Sequence, residues 1–313
     1  MQTMLSGFVR VDPTRIVFER QEGVAHFLCN ATRSSRRVSA VHLKLQGHPI
    51  YIELWEQPRD EHGDGTFSPI PRVTDVPLLV SNLQKAIRQR KSRIAAKTAL
   101  ELAHASIVTL ARRLIIIAVE DVRPNAHIPV CCWIMVALAI KSYTARRSDV
   151  VWLVQYAQVL ANDDVRIAPG KLPDASSLWR AADRRGDDVA LALLIRSTFG
   201  GMQGDLAMLQ YAANIDQRNV PVLDWPNDEV GRLDLDDILP EAVDFHCQPS
   251  MLECLAKSTN LDKATIKDAI WNSSSKTNTR GVPPDKHPYW GMIAVHLHPK
   301  RLQRIRRAFT SDR

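Results

Sequence analysis

Residues 129–143 carry apolar side chains on nearly every helical face, and no other stretch constrains the fold as strongly. A helix that is apolar all round has no side to offer water, so it belongs at the centre, wrapped by other elements. Residues 114–119 extend the same apolar region, with Arg123 and Pro124 between the two parts. Neither part reaches the roughly 20 residues that a membrane span needs, so both read as buried helix and no membrane partner is expected.

Upstream, the hydrophobic period is two. Arg15 to Arg20, Val41 to Leu45 and Pro49 to Trp55 alternate as strands do, and Gly47 marks a turn. Residues 1–72 therefore read as a small β-rich N-terminal region. At Asp75 the period becomes helical. Asp75 is placed to cap a helix, Pro77 suits its first turn, and Leu79, Leu83 and Ile87 form one face. Further helices are expected at about 94–105, 106–122, 129–143 and 149–160, which makes 75–160 a helical unit. Residues 174–313 read as a helical C-terminal region. Its helices fall at about 176–185, 187–198, 206–213 with Asp205 as cap, 249–258 and 263–271, before a basic terminal helix at 299–309. The expected fold class is mainly α, a multi-helix bundle with a small β-rich N-terminal region.

The chain has 313 residues, 45% of them hydrophobic and 24% charged, which allows a sizeable core and argues against wholesale disorder. The net charge of +7 favours an acidic partner, nucleic acid first and an anionic membrane surface second. Five cysteines, Cys29, Cys131, Cys132, Cys247 and Cys254, are odd in number and irregular in spacing, which points to reduced thiols rather than a disulfide framework. Residues 1–15 contain no apolar stretch like a signal peptide. The expected location is intracellular, in cytoplasm, nucleus or mitochondrion.

Residues 82–122 carry a recognisable pattern. Asn82-Leu-Gln-Lys-Ala-Ile-Arg is followed by an Ala-rich helix and then by Ala111-Arg-Arg-Leu-Ile-Ile-Ile-Ala-Val-Glu-Asp-Val. This resembles the helical C-terminal region of clamp-loader-related ATPases, in particular the replication-associated recombination ATPases of the Werner-helicase-interacting type. The Arg112-Arg113-Leu114 and Glu120-Asp121 pairs carry most of the resemblance. It implies a collar-like packing or oligomerisation module in a DNA-associated setting. ATP hydrolysis is not implied. No Gly-x-x-x-x-Gly-Lys-Ser/Thr loop occurs, and Gly170-Lys171 lacks both the upstream glycine and the following hydroxyl residue. No cofactor is expected. From the residues alone, Leu110, Leu114, Ile117 and Val122 supply a buried face, and Arg113 and Glu120 lie two turns apart on one side. Ion pairing inside the bundle and recognition of a phosphate or partner chain both remain open.

Three basic segments are candidates for polyanion contact. Lys85, Arg88, Arg90, Lys91, Arg93 and Lys97 follow one another with no acid between them, and on a helix they would cover most of the solvent side. Lys300, Arg301, Arg304, Arg306 and Arg307 surround Leu302, Ile305 and Phe309, so that helix can dock by its apolar stripe and present a basic side. Arg33, Arg36 and Arg37 form a smaller patch, expected in a hairpin loop. The segment from Trp271 through Lys276 to Arg280 mixes an aromatic ring, hydroxyls and cations, a composition suited to stacking on a base.

Other constellations weigh less. Asp244, His246 and Cys247 combine an acid, an imidazole and a thiol, with Cys254 seven residues further on and His296 and His298 placed to share one side of a strand. No metal-ligand spacing supports a zinc site there. The Gly-rich turn 199–205 and the acids Asp234, Asp236, Asp237 and Glu241 read as a tight interhelical turn and solvated acids. The function expected is a non-catalytic, nucleic-acid-associated binding or scaffolding protein in DNA replication, recombination or repair, with self-association open. The alternatives are an assembly subunit of a larger viral or ribonucleoprotein complex, with part of helix 129–143 facing a partner, and a metal-dependent nucleic-acid enzyme centred on Asp244, His246 and Cys247.

Overall fold

A computed structural model describes residues 14–21, 23–58, 64–141, 143–165, 178–225, 230–239, 242, 249–275 and 287–309. Its four strands are β1 (Thr14–Gln21), β2 (Val24–Leu28), β3 (Arg36–Leu45) and β4 (His48–Glu56), in the order β2-β1-β4-β3. Gln46 and Gly47 both take positive φ, 48° and 82°, the geometry of a two-residue hairpin turn whose twist matches its strands. β1 runs parallel to β4, and the other pairs are antiparallel. A parallel pair needs a crossover, so the chain between β2 and β3 must traverse the sheet. It does so over the outer face: Thr32 N, Thr32 Oγ1 and Ser35 Oγ donate to the Glu19 carboxylate at 2.7–2.8 Å.

Three strands fall where alternation predicts them. β2 has no such signal, because Val24-Ala-His-Phe-Leu sets apolar residues next to each other; pairing with β1 brings Phe27 onto Phe18, ring centroids 4.0 Å apart. Arg33 lies in the crossover, while Arg36 and Arg37 lie in β3. The hairpin-loop expectation for this patch is thereby corrected.

The inner face of the sheet, with Ile16, Phe18, Ile50, Ile52 and Leu54 buried, packs against helices. The helices up to residue 214 are α1 (Val76–Arg88), α2 (Ser92–Asp121), α3 (Ile128–Leu138), α4 (Arg147–Asn162), α5 (Leu178–Arg185), α6 (Asp188–Thr198) and α7 (Gln203–Asn214), of which chiefly α3 and α6 lie against the strands. Asp75 caps α1, its Oδ1 accepting from Leu78 N at 3.0 Å. α2 is broken at Ser106, whose backbone is extended (φ −167°, ψ 90°). By length and composition alone α2 could cross a membrane, yet Leu110, Ala111 and Leu114 through Val119 lie in the core at 0–2% exposure. α3 is central as expected. Residues 130–137 are fully buried, so this stretch leaves no face for a partner; the helix ends at Leu138, short of the expected 143.

The C-terminal helices are α8 (Pro249–Thr259), α9 (Lys263–Ile270) and α10 (Trp290–Ala308). Leu255, Ile266, Ala269, Ile270, Ile293 and Leu297 form a second, smaller core among them. The described fold is thus mainly helical with a four-stranded N-terminal sheet. Two helix starts differ from expectation. α7 begins at Gln203, so Asp205 sits inside its first turn and does not cap it. α10 begins at Trp290 rather than at 299, with Pro299 inside it. A proline reads from sequence as a helix start. Here Ile293 and Leu297, one turn apart, bind the preceding segment to the small core and carry the helix through.

Candidate nucleic-acid interface

The first basic run divides by burial. Arg88 is buried, its Nε donating to Asp121 Oδ1 at 2.6 Å with Glu120 at 3.8 Å. Lys97 is buried too, with Nζ 2.8 Å from Asp237 and 3.6 Å from Asp234. Lys85 is half-buried. Arg90, Lys91 and Arg93 are exposed at the turn between α1 and α2. Arg90 takes φ 59°, and its Nη2 donates to the carbonyl of Asn162 at the end of α4. Only the turn residues therefore lie on the solvent side, not the whole run. Of the acids read from sequence as solvated, Asp234 and Asp236 are exposed as expected, while Asp237 is turned in as the counter-charge of Lys97.

The residues that carry the collar resemblance converge inside the chain. Gln84 Nε2 donates to both Glu120 and Asp121 at 2.8 Å, and Arg113 donates to Gln84 Oε1. Burial and the neighbouring Asp121 push the Glu120 carboxyl up from its ordinary range. Arg113 Nη1 also lies 3.7 Å from Asp205. Arg112 donates to the Phe199 carbonyl, and Arg196 donates to the carbonyls of Arg112 and Gly200 at 3.0 and 2.7 Å. Burial, with Arg112 beside it, pushes the Arg196 guanidinium down to about 10. Gly200 and Gly201, with φ 76° and 148°, make the backbone reversal that brings these carbonyls round. These arginines tie α2, α6 and α7 together.

The terminal basic run divides in the same way. Arg301 is buried, its guanidinium 5.3 Å from the Trp290 ring centroid. Arg304 pairs with Asp75 at 3.0 Å, fixing α10 to the start of α1, where Thr74 N also donates to the Ala308 carbonyl at 3.0 Å. Lys300, Arg306 and Arg307 are exposed. The two exposed groups thus stand toward opposite ends of α1, about 20 Å apart by helix rise. Lys276 and Arg280 lie outside the described residues, as do Asp244, His246 and Cys247.

A further set was not singled out from sequence. Register places His42, Tyr51 and Arg15 in one row across the outer face of the sheet, with Arg37 and Trp55 in a second row. His42 and Tyr51 rings lie 4.6 Å apart, and Arg37 Nη2 donates to Tyr51 Oη at 2.5 Å. Glu53, nearly buried between the rows, accepts from Arg15 at 2.8 Å and from Trp55 Nε1 at 3.2 Å. The signal was present in the alternation of Pro49 to Trp55, which puts Tyr51 and Trp55 on one side. What alternation could not say is which side faces water.

Cys131 and Cys132 are fully buried, and burial pushes both thiols up, away from nucleophilic thiolate. His296 and His298 lie on helix α10, not on a strand, about 200° apart around its axis, so they do not share a side. Among the described residues no group of three or more His, Cys, Asp or Glu gathers as a metal site. A cavity of about 290 Å³ lies between the end of α2, α7 and the segment after it, with Val119, Pro124, Tyr211 and Ile215 in its wall. Comparison of the chain with protein-family models, with curated proteins and with solved structures finds no match.

Proposed function

We propose that this protein is a non-catalytic, nucleic-acid-associated binding or scaffolding element in DNA replication, recombination or repair. In this reading α1 to α4 form a collar-like helical bundle that holds basic surfaces in place. The observation that carries it is the division of the cations. Arg88 and Lys97 are buried against carboxylates. Arg90, Lys91, Arg93, Arg306 and Arg307 are exposed and have no carboxylate partner among the described residues. Unpaired surface cations are what a phosphate backbone engages, by releasing its condensed counterions. Arg113, Glu120 and Asp121 are engaged inside the chain, so the nucleic-acid contact rests on surface charge, while the collar-like packing and the replication setting rest on the resemblance. Self-association would have to use other surfaces.

The test is fluorescence anisotropy with labelled single strand, duplex and RNA at two salt concentrations, comparing wild type with the triple variant R90E/K91E/R93E. The expected result is wild-type binding that falls steeply with salt. The variant should bind at least tenfold more weakly, with the log–log salt slope on duplex smaller by about 2–3, near 0.9 for each phosphate no longer neutralised. Unchanged binding by the variant would remove this surface. No binding by wild type to any of the three at low salt would overturn the reading.

A further inference from the structure

The outer face of the sheet has features that neither helical patch shares. It carries aromatic rings on strand backbone, with Tyr51 and Trp55, each half-buried, alternating along β4 and the exposed His42 beside Tyr51 on β3. Every charged side chain that the face exposes among the described residues is basic: Arg15 and Arg37, with side chains 55% and 46% exposed, and Lys44. Arg33 is exposed on the crossover that passes over the same face. Both acids here lie beneath that surface. Glu53 is 6% exposed, held by Arg15 and Trp55, and Glu19 is fully buried under Thr32 and Ser35. Solvent therefore meets rings and positive charge, with the compensating carboxylates turned inward.

We infer that this face is a stacking platform for single-stranded nucleic acid, an inference that rests on the nucleic-acid reading above. Duplex bases are stacked on each other and cannot lie on a protein ring. Unpaired bases can, and every base has a π-face, so the preference is for strandedness rather than sequence. Tyr51 is the centre of the platform. His42 packs against it from one side, and the hydroxyl is held by Arg37, which orients the ring before a base arrives. Arg15, Arg37 and Lys44 flank the ring, placed to meet the phosphates on either side of the stacked nucleotide. The crossover over Glu19 closes one end of the face. A strand lying on it would run along the open remainder, across β4 and β3.

The experiment measures binding of a labelled single-stranded DNA, its RNA equivalent and the DNA duplex to wild type, Y51A, Y51F and H42A, with circular dichroism to confirm folding. Y51A should lose about tenfold in affinity for the single strands, the weight of one stacked base, with duplex affinity unchanged. Y51F keeps the ring and should stay within about twofold of wild type. H42A, at an exposed position, should lose severalfold on single strands only. Comparison of the DNA and RNA arms identifies the sugar preferred. Single-strand binding unaffected in both Y51A and H42A overturns the platform while leaving the helical patches standing. Equal loss on duplex and single strand overturns it as well, because charge alone would then account for the effect. If Y51A fails to fold, H42A decides in the same way. Absence of any wild-type binding overturns this inference together with the reading beneath it.

Discussion

Arg88 and Arg90 stand two positions apart and meet opposite environments. Arg88 is the last residue of α1, and its side chain turns inward to Asp121. Arg90 lies past the helix end with φ 59°, and its side chain stays exposed, reaching the Asn162 carbonyl and no carboxylate among the described residues. The buried member is the structural one. A guanidinium out of water is tolerated only with its partner in place, so removing the partner leaves an uncompensated charge. Asp121→Ala is expected to destabilise the fold by about 3–5 kcal/mol in chemical denaturation. Replacing both members with Arg88→Met and Asp121→Leu should recover much of that stability, since apolar packing substitutes well for a buried ion pair. A double variant no more stable than Asp121→Ala would show that the pair acts through more than charge compensation. Arg90→Ala, exposed and without a carboxylate, should change stability by less than about 0.5 kcal/mol.

At the scale of elements, the break in α2 illustrates how one side chain divides a helix. Ser106 leaves helical geometry, its Oγ lies 2.7 Å from Thr109 Oγ1, and Thr109 N points back to it at 3.4 Å. Ser106 thus serves as the cap of the second half, where the helical pattern restarts in the sequence. Ser106→Ala should cost about 1 kcal/mol in the unfolding free energy with the denaturant slope unchanged, and Ser106→Asn should retain most of it. Equal stability of Ser106→Ala and wild type would mean that the long-range packing of the two halves sets the break. α10 shows the reverse case. Pro299 removes one backbone donor and should favour a helix end. Apolar anchors on both sides of it, Leu297 in the small core and Ile305 in the large one, keep a single helix running through.

Over the whole molecule, one continuous core runs from the sheet through α7 to Ala242 and, among the described residues, receives Ile305, Ala308 and Phe309 from the end of the last helix. Among the described residues the second core holds six buried apolar side chains. Opening free energy follows buried apolar packing, so the two should not be equally protected. Amide hydrogen exchange in α8 and α9 is expected to run markedly faster than in α3 and the second half of α2. Equal protection in both would mean that the Arg304–Asp75 and Val73–Phe309 contacts bind the small core into one cooperative unit. A difference in protection would leave the basic end of α10 able to adjust against a ligand, while the sheet and the α1–α2 turn stay on the rigid part.

Much of this architecture is written locally. The change of period at Asp75, the cap at its side chain, the restart at Ser106 and the central place of α3 all follow from neighbours within a few positions, which is the range over which helices and strands are specified. The exposed face of each basic segment is not local. Arg88 meets its carboxylate 33 residues away, Lys97 at 140 and Arg304 at 229. The parallel pairing of β1 with β4, and with it the outward turn of Tyr51, depends on a crossover and on which face the helices cover. Whether a cation is buried in an ion pair or left to a phosphate is settled by which distant carboxylate the fold brings within 4 Å. The sequence by itself determined where the charges are and what elements carry them; only the packing of those elements decided which of them water can reach.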